Sequence, residues 1–223
     1  MSQEQWSAVD RYINGLVVHP DPALEATLES SVAAGLPPIN VTPAHGKLLH
    51  LLARAQGARH ILEIGTLAGY STIWLARALP SGGRVMTLES NEVHAGIARA
   101  NFARAGLDDR IELRVGAALE TLPRLAEQRE GPFDFTFIDA DRPNLSEYFA
   151  WALKLSRVGS LIIVDNVVRR GGVIDAASED RDIVGVRRFG ERLAAETRVS
   201  ATMVQTVGAK GYDGFALVLV TAP

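Results

Sequence analysis

The sequence predicts an α/β protein built around a mostly parallel β-sheet, with helices on both faces and an antiparallel hairpin at its C-terminal end. From residue 59 onward, short apolar runs alternate with helical patterns, which indicates βαβ units. The run at residues 161–164 is apolar throughout, as expected of a strand covered on both faces. Two strand-like runs near the C-terminus have no helical pattern between them, which predicts an antiparallel pair at one sheet edge.

Three helices are predicted before the alternating region, at residues 6–16, from residue 22 to about residue 34, and at residues 45–55. Thr42 is a typical N-cap and Pro43 suits the first helical position, so the third helix is expected to follow them. The runs predicted as strands are residues 60–64, 84–88, 110–115, 133–138, 160–164, 199–207 and 215–220. The helical patterns among them are residues 71–79, 93–105, 117–126, 145–155 and 183–195.

Length and composition fit one globular domain over residues 1–223, with residues 1–56 as a helical cap and residues 57–223 as the core. The net charge of −3 gives no basic excess, so nucleic acid is not an expected partner. Cysteine is absent, which excludes disulfides and a cysteine nucleophile. The polar start and the lack of an apolar run of about 20 residues predict a cytoplasmic protein without a membrane span.

A glycine-containing turn follows the first predicted strand, in the segment Leu62-Glu63-Ile64-Gly65-Thr66-Leu67-Ala68-Gly69-Tyr70-Ser71. Ligands of open α/β sheets bind beyond the carboxyl ends of strands, where glycine lets the backbone approach closely. The spacing Gly-x-x-x-Gly weakens a dinucleotide interpretation, which needs Gly-x-Gly-x-x-Gly. Glu89 ends the next strand, where an acidic side chain can bind ribose hydroxyls. Together they predict a nucleoside site, although each alone also fits a tight connection or a solvated glutamate.

Acidic residues also end two later parallel strands. Asp139 follows residues 133–138, and Asp165 with Asn166 follows residues 160–164. Carboxylate and amide oxygens are hard ligands that suit Mg²⁺. Either aspartate alone could cap the following helix or turn. The three side chains together favour a divalent metal site beside the nucleoside site.

Two further features leave their roles open. The stretch at residues 169–180 is glycine-rich, charged and weakly periodic, and it fits either a mobile loop near the site or a plain surface connection. The histidines have no zinc spacing, so we expect all five to be structural or on the surface. They are His19, His45, His50, His60 and His94.

The combination of motifs resembles the cation-dependent O-methyltransferases, the group that contains the catechol and caffeoyl-coenzyme A O-methyltransferases. The resemblance covers about residues 39–220. It is carried by Leu-Glu-Ile-Gly-Thr at 62–66, Gly-Tyr-Ser at 69–71, Glu89, Phe-Ile-Asp-Ala-Asp at 137–141 and Val-Asp-Asn at 164–166. It implies a Rossmann-like seven-stranded methyltransferase sheet. It also implies an enzyme that transfers the methyl of S-adenosylmethionine to a hydroxyl of a catechol-like or other vicinally oxygenated aromatic molecule. Family members are often dimers, so a homodimer is expected.

The resemblance also implies roles for individual residues. The implied cofactor-binding residues are Val41, Glu63, Gly65, Thr66, Ser71, Glu89, Ala118 and Asp139. The implied ligands of Mg²⁺, or of another divalent cation, are Asp139, Asp165 and Asn166. Arg142 occupies the catalytic position at which relatives usually carry a lysine that removes the hydroxyl proton.

Arg142 departs from the family pattern, and arginine is a poor general base because it keeps its proton. Three hypotheses follow. The metal alone acidifies the acceptor hydroxyl, Arg142 steadies the oxyanion or a substrate carboxylate, or another group such as water takes the proton. Leu145 is a second departure, since relatives often carry tyrosine there, while Tyr148 matches the pattern. Both departures bear on the substrate more than on the reaction class.

Two other functions fit parts of the pattern. A nicotinamide-dependent oxidoreductase uses a related sheet, but the Gly-x-Gly-x-x-Gly and Tyr-x-x-x-Lys patterns are missing. A catalytically silent protein that binds S-adenosylmethionine would account for the lost lysine at position 142. It would not account for the intact set of Asp139, Asp165 and Asn166.

Overall fold

A computed structural model describes residues 2–223; Met1, which the domain prediction includes, lies outside the described residues. The strands are β1 (His60–Ile64), β2 (Arg84–Glu89), β3 (Ile111–Val115), β4 (Phe133–Ile138), β5 (Ser156–Asp165), β6 (Val199–Gly208) and β7 (Gly211–Val220). They form one sheet in the order β3-β2-β1-β4-β5-β7-β6. Strands β1 to β5 are parallel, and β7 is antiparallel to both β5 and β6. The predicted α/β class and the antiparallel C-terminal pair are confirmed.

Eight α-helices lie within residues 2–223 and cover both faces of the sheet. They are α1 (Gln3–Val17), α2 (Pro22–Ala33), α3 (Pro43–Gln56), α4 (Tyr70–Ala78), α5 (Glu92–Arg104), α6 (Ala118–Glu127), α7 (Leu145–Lys154) and α8 (Arg181–Ala195). In β1, Leu62 and Ile64 pack with α6, α7 and α8, whereas Ile61 packs on the other face with α2 to α5. Because strand side chains alternate, Glu63 points into the same layer as Ile61.

Side-chain caps start the first and third helices, and the predicted cap of the third is confirmed. Thr42 accepts a hydrogen bond of 3.2 Å from the backbone of His45, and Pro43 is the first residue of α3. Helix α1 begins earlier than predicted because Ser2 caps it by accepting a hydrogen bond from Gln5. Within residues 2–223 no helix has both the length and the apolar character that crossing a membrane requires.

The parallel register brings four strand ends to one edge of the sheet. Ile64 of β1 pairs with Leu88 of β2 and with Ile138 of β4, and Ile138 pairs with Val164 of β5. The next residues along the chain are Gly65 after β1, Glu89 at the end of β2, Asp139 after β4 and Asp165 at the end of β5. The glycine turn and the three predicted acidic residues therefore lie side by side.

Two segments differ from their predicted form. Strand β5 begins before residue 160 because Ser156 already pairs with Phe133 of β4. The predicted loop at residues 169–180 contains a short 3-10 turn, Arg169–Ile174. The carboxylate of Asp213 holds the start of this turn by accepting two backbone hydrogen bonds of 2.9 and 3.0 Å. The turn is thereby tied to β7, next to the strand ends.

Helix α8 packs closely on the turn formed by Arg142–Asn144. A Cβ added to Gly185 would collide with the carbonyl oxygen of Arg142 and would lie 2.8 Å from the Cα of Pro143. By contrast, a Cβ added to Gly190 of the same helix meets only the Cε of Met203, at 3.8 Å. The missing side chain of Gly185 is thus what lets α8 support the turn that carries Arg142.

Replacing these two glycines by alanine should change stability in opposite directions. Gly185→Ala should lower the free energy of unfolding by about 1–3 kcal/mol, because an overpacked contact must open. Gly190→Ala should raise it by about 0.5–1 kcal/mol, since alanine loses less backbone entropy in a helix. Urea unfolding of the wild type and both variants measures the effect. Equal changes in the two variants would contradict the close packing of α8 on this turn.

Candidate active site

The glycine turn after β1 lies directly against the end of β4. Gly65 has a φ of +98°, and a Cβ added to it would collide with the carbonyl oxygen of Asp139. The backbone N–H of Asp139 donates to the carbonyl of Ile64, and that of Gly65 donates to the carbonyl of Leu88, both at 2.9 Å. Only glycine satisfies both the left-handed conformation and the close approach.

Glu89 ties the end of β2 to the glycine turn. One carboxylate oxygen accepts hydrogen bonds from the backbone of Thr66 and Leu67, at 3.2 and 2.8 Å. The other oxygen accepts from the backbone of Asn91 at 2.9 Å. The side chain is buried but still lines a cavity. Glu89 therefore shapes the turn as well as presenting a carboxylate to any ligand in that cavity.

Glu63 does not line this cavity, unlike the other predicted cofactor-binding residues, and its contact with the cofactor stays a prediction. It is fully buried, and its carboxylate accepts hydrogen bonds from the hydroxyls of Ser71, Thr72 and Thr87. Burial raises the pKa of Glu63 to about 7, although these three donors oppose the rise. Strand alternation turns the side chain into the helix layer, so Glu63 holds Ser71, which does line the cavity.

A cavity of about 500 Å³ opens at the ends of β1, β2 and β4. Seven of the eight predicted cofactor-binding residues line it, all except Glu63. They are Val41, Gly65, Thr66, Ser71, Glu89, Ala118 and Asp139. We call this the first cavity. The sequence therefore predicted a set of residues that the fold does bring together around one space.

A second cavity of about 980 Å³ adjoins the first. It is lined by all three predicted metal ligands, Asp139, Asp165 and Asn166. Asp139 and Arg142 line both cavities, together with residues 39–41 and Arg169. The boundary between the two cavities therefore lies at the end of β4.

Asp139 and Asp165 bring two carboxyl groups to neighbouring strand ends, and Asp165 is buried. Burial raises the pKa of Asp165, and the charge of Asp139 raises it further. Such a pair favours a nearby cation. No three carboxylates or histidines converge in residues 2–223, so the amide oxygen of Asn166 is the available third ligand. Two carboxylates and an amide oxygen fit a hard divalent cation.

The guanidinium of Arg142 lies among these oxygens. Its Nη2 donates to Oδ1 of Asp139 at 3.2 Å and, more closely, to Oδ1 of Asn166. The side chain is 13 % exposed, and its Nε is buried without a hydrogen-bond partner. Arg142 therefore contacts two of the three predicted metal ligands. Its role in catalysis stays a prediction.

Two histidines line the cavities, although none was expected to do more than support the fold. His94 lies in the first cavity, with Nδ1 3.6 Å from Oε1 of Glu89. His45 lies in the second, with Nδ1 3.8 Å from Oδ2 of Asp165, and burial lowers its pKa. A search of the sequence for zinc-ligand spacing does not identify these two histidines. The signal for His45 was its place just after Val41 and the Thr42 cap.

Comparison with known proteins decides the family. A family model described as O-methyltransferase matches residues 17–220. The chain belongs to the O-methyltransferase family. It is 51 % identical over 220 residues to a catechol O-methyltransferase of Niastella koreensis, an alignment that covers 99 % of this chain and 100 % of that protein.

Solved structures of O-methyltransferases share the whole fold. The enzyme from Bacillus cereus, determined in complex with SAH, is 57 % identical, with a TM-score of 0.97 and coverage of 99 % of this chain and 100 % of that chain. TomG from Streptomyces achromogenes, involved in tomaymycin synthesis and determined with SAM, is 50 % identical, with a TM-score of 0.96 over 100 % of both chains. The predicted Rossmann-like methyltransferase sheet is confirmed.

The predicted enzyme class, an S-adenosylmethionine-dependent O-methyltransferase, is confirmed by these similarities. Membership of the O-methyltransferase family removes the nicotinamide-dependent alternative. A cytoplasmic location and the lack of a nucleic-acid partner stay predictions.

Glu63→Gln should remove a pH dependence of the stability of this O-methyltransferase. Because burial raises the pKa of Glu63 from 4.5 to about 7, the folded state favours the protonated form. The stabilising contribution of the protonated Glu63 carboxyl is present below pH 4.5 and is lost as pH rises through 7. The wild type should therefore lose up to about 3 kcal/mol relative to Glu63→Gln over that range.

Urea unfolding of both proteins between pH 5 and 8.5 measures this difference. Glu179→Gln, in an exposed loop, is the matched control and should leave the pH profile of the wild type unchanged. A difference between wild type and Glu63→Gln that stays constant across this range would contradict the burial of an ionisable carboxyl at β1.

Proposed function

We propose that this O-methyltransferase uses a divalent cation to methylate a hydroxyl of a catechol-like, vicinally oxygenated aromatic acceptor. The observation that carries the proposal is the position of Asp139, a predicted metal ligand that lines both cavities. Methyl transfer needs the donor and the acceptor oxygen to be held in contact and in line. A cation bound at the boundary between the cavities would hold the acceptor there.

The first cavity is proposed to bind S-adenosylmethionine. Glu89 is positioned for the ribose hydroxyls, and Ser71, held by Glu63, for the amino-acid part. Ala118, at the start of α6, is proposed to lie near the adenine. The sulfonium would then lie toward the negative charge of Asp139. The remaining implied contacts are the backbone of Val41 and the turn residues Gly65 and Thr66.

Asp139, Asp165 and Asn166 are the residues proposed to hold Mg²⁺ or another divalent cation. Their oxygens suit such an ion, and the raised pKa of Asp165 reflects a site that favours added positive charge. When bound, the cation lowers the pKa of the acceptor hydroxyl. Burial lowers the pKa of His45, whose Nδ1 lies 3.8 Å from Oδ2 of Asp165.

The chain contributes positioning and charge rather than a nucleophile. The acceptor oxygen bonds to the methyl carbon as the carbon–sulfur bond breaks, and the electron pair of that bond stays on sulfur. Alignment of the two reactants is worth roughly 7–11 kcal/mol at best. Arg142 keeps its proton, and burial together with Asp141 raises the pKa of Tyr148, so neither is a base at neutral pH. The hydroxyl proton is therefore proposed to leave to water.

The walls of the second cavity support an aromatic acceptor. Apolar and aromatic side chains line this cavity together with the proposed metal ligands. They are Leu48, Ile183, Tyr212 and Phe215. The rings of Phe215 and His45 are 5.8 Å apart. A planar ring can pack on these surfaces while its two adjacent oxygens face the polar residues. The Niastella koreensis relative is named for catechol, which has this arrangement of oxygens.

Activity on catechol should depend on the metal and on the buried aspartates. EDTA should abolish methylation and Mg²⁺ should restore it, because the acceptor hydroxyl otherwise keeps its proton. Asp165→Asn should lower kcat/KM by at least the roughly 100-fold that even loss of an outer-shell partner can cost. Product formation by mass spectrometry measures both. Asp175→Asn, in an exposed turn, is the matched control.

The outcomes separate the proposal from its rivals. Full activity in chelator would contradict metal dependence while leaving the O-methyltransferase class intact. Binding of S-adenosylmethionine in calorimetry with no turnover on any vicinal diol, with or without Mg²⁺, would favour the catalytically silent alternative.

We also propose that the enzyme is a homodimer formed through α1 and the edge strand β6. No residue of α1, whose whole length is described, is buried, and its apolar side chains face outward. The exposed ones are Val9, Tyr12, Ile13, Leu16 and Val17. Strand β6 is unpaired along one edge and exposes Met203, Val204 and Val207. Unprotected edges favour association, and a second copy would cover both elements.

Leu16→Glu should convert the dimer into a monomer, because a carboxylate would be buried in the proposed interface. Sedimentation velocity at micromolar concentration measures the change. Ile174→Glu alters a more exposed side chain, 86 % against 59 % for Leu16, outside the proposed interface and serves as the control. A wild-type monomer, or a dimer unchanged by Leu16→Glu, would contradict this interface.

A further inference from the structure

Arg142 holds the oxygen atoms that the proposed metal needs. Its Nη2 donates to Oδ1 of both Asp139 and Asn166, on two different strand ends. Divalent cations bind such oxygens at about 2.0–2.6 Å. A cation that bridged this pair of oxygens would lie in the space that Nη2 of Arg142 occupies. Arg142 and the metal are therefore competitors for one position.

That position favours a positive charge in the absence of metal as well. Asp165 is buried beside the charge of Asp139. Lys210 lines the same cavity, and the charges of Asp139 and Asp165 act on it, but it forms no ion pair with either aspartate among the described residues. Arg142 is the basic side chain that contacts one member of this pair directly, Asp139, at 3.2 Å.

The contact is incomplete, which favours displacement. The Nε of Arg142 is buried and has no acceptor, an unfavourable state for an N–H group. The side chain also borders both cavities, so it has space into which the guanidinium can turn. Its backbone is held, because the turn Arg142–Asn144 is packed against Gly185. A change of side-chain rotamer is enough to uncover the oxygens of Asp139 and Asn166.

We propose that Arg142 is the resident counter-cation of the metal site: its guanidinium occupies the metal position in the metal-free enzyme and is displaced when the divalent cation binds. The proposal deepens the metal dependence proposed above and relies on it. Arg142 then has two effects that separate experimentally. It stabilises the metal-free protein, and it weakens metal binding, because the ion must first break the contacts with Asp139 and Asn166.

The test measures metal binding without substrate. Arg142→Met keeps similar bulk without charge or hydrogen bonds. It should lower the melting temperature of the metal-free protein and tighten the Kd for Mn²⁺ by about tenfold or more, measured by electron paramagnetic resonance. Isothermal titration with Mg²⁺ gives a second value. Arg142→Gln, also neutral, guards against misfolding of the methionine variant, and a thermal shift with S-adenosylmethionine verifies that each variant is folded.

Arg169→Met is the matched control. Arg169 borders the same two cavities, but its guanidinium pairs with Asp182 at 2.8 Å and not with the metal ligands. Removing its charge should change the Kd for Mn²⁺ by less than about threefold, because a partly exposed pair exerts little influence. If Arg169→Met tightened the Kd for Mn²⁺ as much as Arg142→Met, loss of any nearby positive charge would explain the result, and the proposal would be overturned.

Other results are equally decisive. An unchanged Kd in both neutral variants of Arg142, with wild-type metal binding intact, overturns the proposal and leaves the metal-dependent function in place. Binding in the variants but none in the wild type means that Arg142 replaces the metal permanently, which overturns displacement. Absence of binding in every protein overturns both the proposal and the metal dependence on which it relies.

Discussion

The contact between Gly65 and the carbonyl of Asp139 is the constraint on which the site depends. It places the turn after β1 against the end of β4, so that the residue at the boundary between the two cavities is held by backbone rather than by a flexible side chain. Glu89 then fixes the same turn from the β2 side through two backbone hydrogen bonds. Three strand ends thereby become one rigid surface, as accurate alignment of two reactants requires.

Charge is the second constraint, and it follows from the first. Because parallel strands end together, Asp139 and Asp165 lie at one edge of the sheet, where Asp165 is buried and Asp139 is partly exposed. A cation near these carboxylates lowers the energetic cost of this arrangement. The Arg142 guanidinium, which contacts Asp139, is one such cation. The same geometry that suits metal binding therefore also explains why a basic side chain lies there.

The strand ends could be predicted from sequence because the parallel arrangement alone brings them together. The direction of a side chain is harder to predict. Glu63 is close to the glycine turn in sequence, yet strand alternation directs its side chain into the helix layer. The motif does not show which side of the sheet holds the three hydroxyl groups that donate to Glu63. The roles of His45 and His94 were not predicted because the sequence was searched only for zinc-binding spacing. His45 meets Asp165 of a distant strand, and His94 meets Glu89, five residues earlier at the end of β2. Such contacts depend on helix packing, which composition and periodicity do not encode.

Arginine at position 142 changes the chemistry less than it first suggests. A lysine there could lose its proton, but a guanidinium contacting Asp139 keeps its own, so proton removal by this residue is excluded. Its position next to two strand ends instead suits Arg142 to balancing negative charge. Once displaced from the oxygens of Asp139 and Asn166, the guanidinium would still face the junction of the cavities, where the acceptor oxygen carries negative charge before transfer. A residue proposed to balance the carboxylates without metal would thus balance the acceptor oxygen with it, while the hydroxyl proton leaves to water as proposed.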